Sequence, residues 1–594
     1  MSASGSVSPC SCSFVQAVRY ADLTEKWTDN DTQSWCSCVA ASSIMGVCMS
    51  RNVVDVRNSA SGRPVVPYPG TQAVENGING IAIGSGTNGN SVGENAPPAF
   101  IHGITKRESD MNILLPTDVQ VYDSDESRFE RERVMLVLCP NANPSKPAKL
   151  MLFDVNYQSK NYCQIISTLT LPTTDDEIMY AGWMRSASKF DDINVLHRTQ
   201  LIVPCFDSSR IYIINVENQS TMKVNTCFEE SQLISHNVQH PYNVCSWPGK
   251  HGPTLFSTCG DTSSRAKGDI LLIKRDKLSI TSRAEKNSNV YAVFGGFLAL
   301  QPRHKIMITA SLGDPSKLLD AFIDNNFDVK SCIQQHAYGS ALNIWETDKI
   351  KLKQTIKLED FGAFGFTCVR FIHNPECNHG FAVSAIGGSI FHIHKNSKTE
   401  DYHADKIVQY QSAKVSGWIK EEMPPLPLDI IISMDDRFLF VSCFLHGFVE
   451  QLNITDPFRV TTCSRVYLGG AIHRAFGVTL QRYNGINYTP KRFFVRGTEF
   501  HGGPARMQLS LDGRRLYVNN SFYTPWDSKL YPILITQGSA IALIHINVKP
   551  AGGLKLDENF LIQPGCQEFD DGPYLAREMK FMNGDSTSDH CLEN

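Results

Sequence analysis

Short apolar runs separated by turn residues make up the chain from about Val134 onward. Runs such as "RVMLVLCP", "SRIYIINV" and "KIMITAS" are rich in Val, Ile, Leu and Tyr, which is typical of β-strands. Few segments show the 3.6-residue periodicity of an amphipathic helix, and "DPSKLLDAFIDNN" is the clearest candidate. Many short strands at regular spacing predict a β-sandwich, a barrel or a propeller.

Two segments share a pattern that indicates an internal repeat. "LDIIISMDDRFLFVSCF" (Leu428–Phe444) and "ARMQLSLDGRRLYVNNSF" (Ala505–Phe522) each contain an apolar run, a Ser-Met-Asp or Ser-Leu-Asp turn, an arginine and a second apolar run. Their Asp-Asp and Asp-Gly steps tolerate the positive φ of a tight hairpin. "FDSSRIYIINVEN" (Phe206–Asn218) is a degenerate third copy. A recurring hairpin is typical of β-propeller blades, and residues 134–594 would hold about seven blades of ~40–50 residues with long loops.

The first hundred residues differ from the rest in composition. The segment "GINGIAIGSGTNGNSVGENAPP" is rich in Gly, Asn and Ser, so it cannot bury enough apolar surface to offset the entropy of ordering. We therefore expect residues 1–95 to be a largely disordered extension, residues 96–133 a linker into the first blade, and residues 134–594 the propeller. Such an extension could fold on contact with a protein partner. The Cys10-x-Cys12 and Cys36-x-Cys38 pairs lack the spacing of zinc ligands.

Composition and charge narrow the classes of function. With 56 Lys and Arg against 60 Asp and Glu, the net charge is −4, which gives no electrostatic footprint for nucleic acid. No run reaches the roughly 20 apolar residues of a membrane-spanning helix, and the first residues do not resemble a secretory signal. We therefore expect the 18 cysteines to be reduced thiols and the protein to be cytoplasmic, with the nucleus as an alternative.

Blocks of residues distributed along the chain carry a family resemblance. They include "YCQII", "AGW", "SSRIYIINV", "QPRHKIMIT", "YGSALNIWE", "RFIHNP", "VSGWIKEEMP", "QLSLDGRRLYVNNSFYTPWD" and the "GDSTSD" tail. In these blocks the chain resembles the selenium-binding protein family, which includes methanethiol oxidase, over about three quarters of its length. The resemblance implies an all-β, seven-bladed propeller and an activity on small thiols. Methanethiol, oxygen and water would yield formaldehyde, hydrogen sulfide and hydrogen peroxide.

The resemblance also implies two cofactors. Selenium would attach covalently to the cysteine of the Tyr-Cys-Gln-Ile-Ile motif, which here is Cys163. Such a thiol needs thiolate character and access, whereas a buried strand cysteine acts as a small apolar residue. Copper would need imidazole or sulfur ligands with one open position.

Most of the family's ligand-type histidines are replaced in this chain. The His-His before Ser-Gly-Trp is Met179 and Tyr180 in "DEIMYAGW", and the His-Thr-x-His-Cys element is "HPYNVCSW", where only Cys245 is kept and where His236 or His240 could compensate. An arginine in place of a histidine would repel a cation. The substituted positions are Met179, Tyr180, Tyr242, Val244, Ala341 and Arg577.

Three family histidines remain, namely His304, His373 and His446. Each could be a metal ligand or a structural imidazole that binds loop carbonyls, and His446 has the best claim to the central site. Met179, Cys245 and Cys443 could supply sulfur for Cu(I) beside His446. Two hypotheses therefore stay open, an active methanethiol oxidase and a catalytically impaired paralogue that binds selenium, thiols or a partner.

Overall fold

The structure is a computed structural model, and it describes residues 129–594 apart from short gaps. The gaps are 190–191, 194–195, 219, 250–251, 264, 283–291, 320–321, 323–336, 474–476, 482–486, 489–490, 565–568 and 587–591. The predicted extension (residues 1–95) and nearly all of the predicted linker lie outside the described residues. The described part is all-β, and its main unit is a four-stranded antiparallel sheet.

Successive strands form the first four sheets. The first has β1 (Val134–Cys139), β2 (Lys149–Asp154) and β3 (Ile165–Thr170). The second has β4 (Gly182–Trp183), β5 (Gln200–Pro204), β6 (Ile211–Asn218) and β7 (Thr221–Phe228). The third has β8 (Gln239–Ser246), β9 (Thr254–Gly260), β10 (Ala266–Lys274) and β11 (Ser279–Thr281). The fourth has β12 (Leu298–Gln301), β13 (Ile306–Ala310), β14 (Ala341–Glu346) and β15 (Lys351–Lys357).

The later sheets follow the same plan with one insertion. The fifth has β16 (Phe366–Phe371), β17 (His379–Ser384), β18 (Ser389–Lys395) and β19 (Tyr402–Gln409). An inserted sheet follows, with β20 (Ala413–Ser416) and β21 (Glu422–Met423). The next has β22 (Pro427–Ile432), β23 (Phe438–Cys443), β24 (Phe448–Asn453) and β25 (Thr461–Tyr467). The inserted sheet is completed by β26 (Thr479–Gln481) and β27 (Asn487–Tyr488), and a hairpin has β28 (Phe494–Val495) and β29 (Thr498–Glu499).

The end of the chain closes onto its beginning. The last full sheet has β30 (Met507–Leu509), β31 (Arg515–Asn519), β32 (Ile541–Ile546) and β33 (Leu554–Ile562). The final strand, β34 (Glu578–Lys580), pairs with β1 and completes the first sheet. Consecutive four-stranded sheets with such a closure are consistent with a β-propeller, so the predicted fold class is confirmed, while the count of seven blades stays a prediction.

Burial explains why these runs form these strands. Inner strands such as β16 and β23 are buried along their whole length, whereas outer strands such as β3 and β15 alternate between more and less exposed residues. A continuous apolar run suits a strand covered on both faces, and alternation suits an edge strand that faces solvent.

The repeat predicted from the sequence recurs in the hydrogen bonds of the β22–β23 and β30–β31 turns. The Ser433 hydroxyl donates to Asp435 at 2.6 Å, and the Ser510 hydroxyl donates to Asp512 at 2.6 Å. Asp436 (φ 57°) and Gly513 (φ 69°) occupy the left-handed positions of these turns. The predicted hairpins are therefore confirmed.

Helices are short and few in the described part of the chain. They are α1 (Glu230–Ile234), α2 (Thr524–Leu530) and α3 (Pro532–Gln537), with 3-10 turns at Pro315–Lys317 and Ala471–His473. In the segment predicted as an amphipathic helix, the described residues contain the 3-10 turn, which Asp314 caps by accepting from the Ser316 amide. No described helix has the length and apolar character needed to cross a membrane.

Candidate functional site

Cys163 lies in the connection between β2 and β3. Its amide donates to the Asp154 carbonyl at 2.7 Å, and its φ of 67° is unusual for a residue other than glycine. The side chain is 8% exposed and packs in one core cluster with Phe560 and Ile562 of β33. Tyr162 lies against Phe560, with the ring centroids 5.8 Å apart. The closing of β33 beside the first sheet therefore encloses this thiol.

The electrostatics of Cys163 favour the neutral thiol. Burial raises the pKa of Cys163 to about 11, and the hydrogen bond with the Leu561 backbone and the positive charge of Arg496 oppose this only in part. A thiolate is the nucleophilic form of cysteine, so the closed loop holds this thiol in its less reactive form at neutral pH. Covalent attachment of selenium at Cys163 stays a prediction.

Three of the substituted positions lie in a buried aromatic cluster. Met179, Tyr180 and Tyr242 belong to the largest core cluster and are each at most 4% exposed. The Tyr180 ring centroid lies 5.2 Å from that of Tyr242 and 4.7 Å from that of Phe297, both with edge-to-face geometry. The Tyr180 hydroxyl donates to the Thr367 carbonyl at 3.1 Å, so this ring is fixed by packing and by a hydrogen bond.

Arg577 is the centre of a buried ion-pair network. Its guanidinium is fully buried and donates to Glu177 at 2.7 Å and to Asp527 at 2.9 Å. Glu177 also accepts from the hydroxyl of Thr524, the first residue of α2, at 2.6 Å. Two carboxylates compensate one guanidinium here, although burial still raises the pKa of Glu177 above its ordinary value against the attraction of Arg577. From the sequence we expected Arg577 to repel a cation. That expectation did not include Glu177 and Asp527, which bind the guanidinium in the folded protein.

A second arginine, Arg506, lies beside the aromatic cluster. It precedes β30 and is 1% exposed. Its guanidinium carbon lies 3.4 Å from the Tyr180 ring centroid and 4.5 Å from that of Phe522. Arg506 could not be found from the sequence, because only the closing of distant strands brings residues 180, 506 and 577 into one region.

The three remaining histidines do not meet at one point. His373 follows β16, and its Nδ1–H donates to Asp436 at 2.9 Å, in the turn before β23. His446 follows β23, and its Nε2–H donates to the Met423 carbonyl at 3.0 Å. The six residues of β23 separate these two ends by roughly 20 Å at about 3.3 Å per residue. One ion therefore cannot bind both imidazoles.

His304 and His373 each hold a buried Nε2 without a hydrogen-bond partner. Burial lowers the pKa of His304 below its ordinary value, so this imidazole is neutral near pH 7. A lone imidazole, however, does not make a copper site, which needs several donors.

The remaining candidates are dispersed among different parts of the core. Met179 and Cys443 lie in the largest core cluster, but Cys245 packs in a separate one with Leu255 and Trp345. Val244 belongs to a third cluster, and Ala341 is half-buried at the start of β14. Within the ranges that the structure describes, no three His, Cys, Asp or Glu side chains are arranged to share a metal ion. The donors proposed from the sequence therefore do not fit copper in this arrangement.

The fold and these two regions define the class: an all-β protein of the propeller type with an enclosed cysteine and an arginine-rich, aromatic interior. The family described as 56 kDa selenium binding protein (SBP56) matches residues 120–592. The chain therefore belongs to the selenium-binding protein family.

Individual relatives agree with this assignment. A Caenorhabditis elegans protein named as a selenium-binding protein is 38% identical, over 80% of this chain and 86% of its own length. Methanethiol oxidase of Xenopus tropicalis is 34% identical over 78% of this chain and 96% of its own, and the human one is 33% identical over 77% and 95%. The crystal structure of a hypothetical selenium-binding protein from Sulfolobus tokodaii, 24% identical, covers 78% of this chain and 96% of its own with a TM-score of 0.64, which supports the fold.

Proposed function

We propose that this protein oxidises methanethiol. The reaction is CH3SH + O2 + H2O → HCHO + H2S + H2O2, in which the carbon is oxidised and O2 is reduced. The observation that carries the proposal is the similarity to methanethiol oxidases at 33–34% identity over 95–96% of their length, because a match of that extent covers far more than one motif. The small thiol substrate and a cytoplasmic location are parts of this proposal.

A second candidate function is favoured by one observation. Tyr180, Tyr242 and Arg577, which stand where the family resemblance places histidines, lie in packed and ion-paired surroundings. A protein with this interior could bind a small selenium or sulfur species without oxidising it. Cys163, in its intact Tyr-Cys-Gln-Ile-Ile motif, would then be the covalent selenium site, as the resemblance implies.

Hydrogen sulfide release separates the two candidates. The full-length protein is purified with its metal content measured, and is given methanethiol and oxygen while formaldehyde, sulfide and peroxide are quantified. Equal amounts of the three products support the oxidase. Absence of turnover from folded protein, with or without added copper, contradicts it and favours the binding protein.

Two variants sharpen the measurement. His446→Ala removes the histidine with the best claim to the central site, and His545→Ala on β32, whose side chain is 45% exposed, is the matched control. If His446 serves the reaction, only the first variant loses turnover. A separate assay of bound selenium compares wild type with Cys163→Ser, and a loss of selenium confined to this variant supports attachment at Cys163.

A further inference from the structure

A surface cleft lies where the fifth sheet meets the inserted sheet. Its volume is about 720 Å³, which is within the range of cavities that hold small ligands. The lining comes from the β15–β16 connection, from the end of β19 with the residues after it, and from the β20–β21 pair. Its charged lining residues are Glu359, Asp360, Lys406, Lys414 and Glu422, and its most exposed aromatic residue is Phe361.

The floor of the cleft is held by a hydrogen-bond network. The Lys406 Nζ donates to Asp360 Oδ1 at 2.7 Å and to Gln409 Oε1 at 3.1 Å. Asp360 Oδ1 also accepts from the Gly362 amide at 2.7 Å. The side-chain nitrogen of Gln409 in turn donates to the Gly387 carbonyl at 3.0 Å. These bonds fix the floor side chains before any ligand binds, which reduces the ordering entropy that binding would cost.

Lys406 and Asp360 keep hydrogen-bonding capacity that faces the cleft. An ammonium has three N–H donors, so Lys406 has one left after Asp360 and Gln409 are bound. Both protein hydrogen bonds to Asp360 go to Oδ1, and among the described residues Oδ2 has no donor. Burial opposes ionisation of Asp360, but the hydrogen bonds from Lys406 and the Gly362 amide hold its pKa below the ordinary value. A donor beside a carboxylate acceptor matches the C=O and N–H of a peptide bond.

The rim of the cleft indicates which side chains such a peptide would carry. The Phe361 side chain is 67% exposed and offers an apolar face in the cleft. Glu359, Lys414 and Glu422 are exposed, and the described residues include no ion-pair partner for them, although Lys414 and Glu422 are cross-strand neighbours. The lining holds three carboxylates and two ammonium groups. This excess of negative charge is complementary to a ligand with a positive charge and an apolar side chain.

We infer that the cleft binds an extended peptide segment of a partner protein, with an aromatic or aliphatic side chain on Phe361 and a Lys or Arg beside Glu359 and Glu422. A peptide carbonyl accepts from Lys406, and a peptide N–H donates to Asp360. Binding is non-covalent. It is independent of the proposed methanethiol oxidation, so failure of either one leaves the other standing.

The test titrates the full-length protein with three dipeptide probes, followed by ligand-detected saturation-transfer NMR. The probes are acetyl-Phe-Lys-amide, acetyl-Phe-Glu-amide and acetyl-Ala-Lys-amide. We expect saturable binding that is tightest for the first probe. The second should bind about two- to tenfold more weakly, because exposed charge pairs contribute little each. The third should bind about five- to tenfold more weakly, because it lacks the ring that packs on Phe361.

Variants of the cleft assign the site. Phe361→Ala should bind the first probe about five- to tenfold more weakly. The double variant Glu359→Gln and Glu422→Gln should lose the preference for the lysine probe over the glutamate probe. Phe494→Ala and Glu376→Gln are matched controls that should bind as wild type does, because these side chains are 53% and 67% exposed and do not line the cleft.

A photoreactive form of the first probe, with benzophenone in place of the phenyl ring, locates the bound peptide. We expect cross-links to residues 359–362 or 409–414, identified by mass spectrometry of the digested protein. Absence of saturable binding, equal affinity for the lysine and glutamate probes, wild-type affinity in Phe361→Ala, or cross-links confined to other parts of the chain would each overturn the inference.

Discussion

The Cys163 loop and the Arg577 network are two buried polar sites. They reduce the free-energy cost of burying a polar group in opposite ways. The Cys163 thiol has no strong compensating charge, and burial raises its pKa to about 11, so it stays neutral. The Arg577 guanidinium is bound by Glu177 and Asp527, and these carboxylates offset the cost of burying it. The comparison shows that a titratable thiol avoids the cost of a buried charge by staying neutral, whereas a guanidinium, which keeps its proton, is stabilised by charged partners.

The largest expected effect concerns the reactivity of Cys163. At pH 7 a thiol of pKa about 11 is about one part in ten thousand thiolate, and this fraction rises about tenfold for each pH unit. Alkylation of Cys163 by iodoacetamide, followed by mass spectrometry of its peptide, should therefore accelerate steeply up to pH 11. Rapid modification at pH 7 in folded protein would show that the loop opens or that the thiolate is stabilised.

Removal of Arg577 should be the most damaging single substitution to stability. Arg577→Met leaves Glu177 and Asp527 as buried carboxylates without their cation, which should cost about 3–5 kcal/mol in the free energy of unfolding. Urea denaturation measures this loss. The control Arg303→Met removes an ion pair with Glu376 whose side chains are 45% and 67% exposed, and it should cost no more than about 1 kcal/mol. Equal effects of the two variants would refute the compensation argument.

His379 is a third buried polar group in this comparison, and it has no compensating carboxylate. Its Nδ1 is bonded to Nε2 of His392 at 2.9 Å, and burial together with the nearby His394 lowers the pKa of His379 to about 4. The unfolded chain takes up this proton near pH 6.5, so stability should fall as pH drops from about 6.5 to 4, by up to about 3 kcal/mol. His403, Asp405 and Arg370 are further titratable or charged groups on this sheet face.

Denaturation as a function of pH tests this expectation in His379→Gln. The variant should show a flatter loss of stability between pH 6.5 and 4 than wild type. Identical pH profiles for wild type and His379→Gln would contradict the assigned shift.

The smallest expected effect is at Tyr242. Its hydroxyl is buried without a partner, so Tyr242→Phe should leave the free energy of unfolding unchanged or raise it by about 1 kcal/mol. Thermal denaturation checks this. A loss of more than about 2 kcal/mol would mean that the hydroxyl is satisfied in the folded protein.

The strands and hairpin turns could be predicted from the sequence, because they depend on local alternation and on turn residues such as Asp436 and Gly513. Cys163 could be found because its motif is contiguous. The surroundings of Arg577 could not be predicted, since Glu177 is 400 residues away in the sequence and contacts Arg577 only when the sheets close. The distance between His373 and His446 could not be predicted either. It arises because the two histidines lie at opposite ends of β23, and the spacing of residues in the sequence does not show this.

The most direct test of the central proposal is product formation by the purified full-length protein. With methanethiol and oxygen supplied, we predict sulfide, formaldehyde and peroxide in equal amounts over many turnovers. Folded protein that consumes no methanethiol, with or without added copper, would contradict the proposed oxidase.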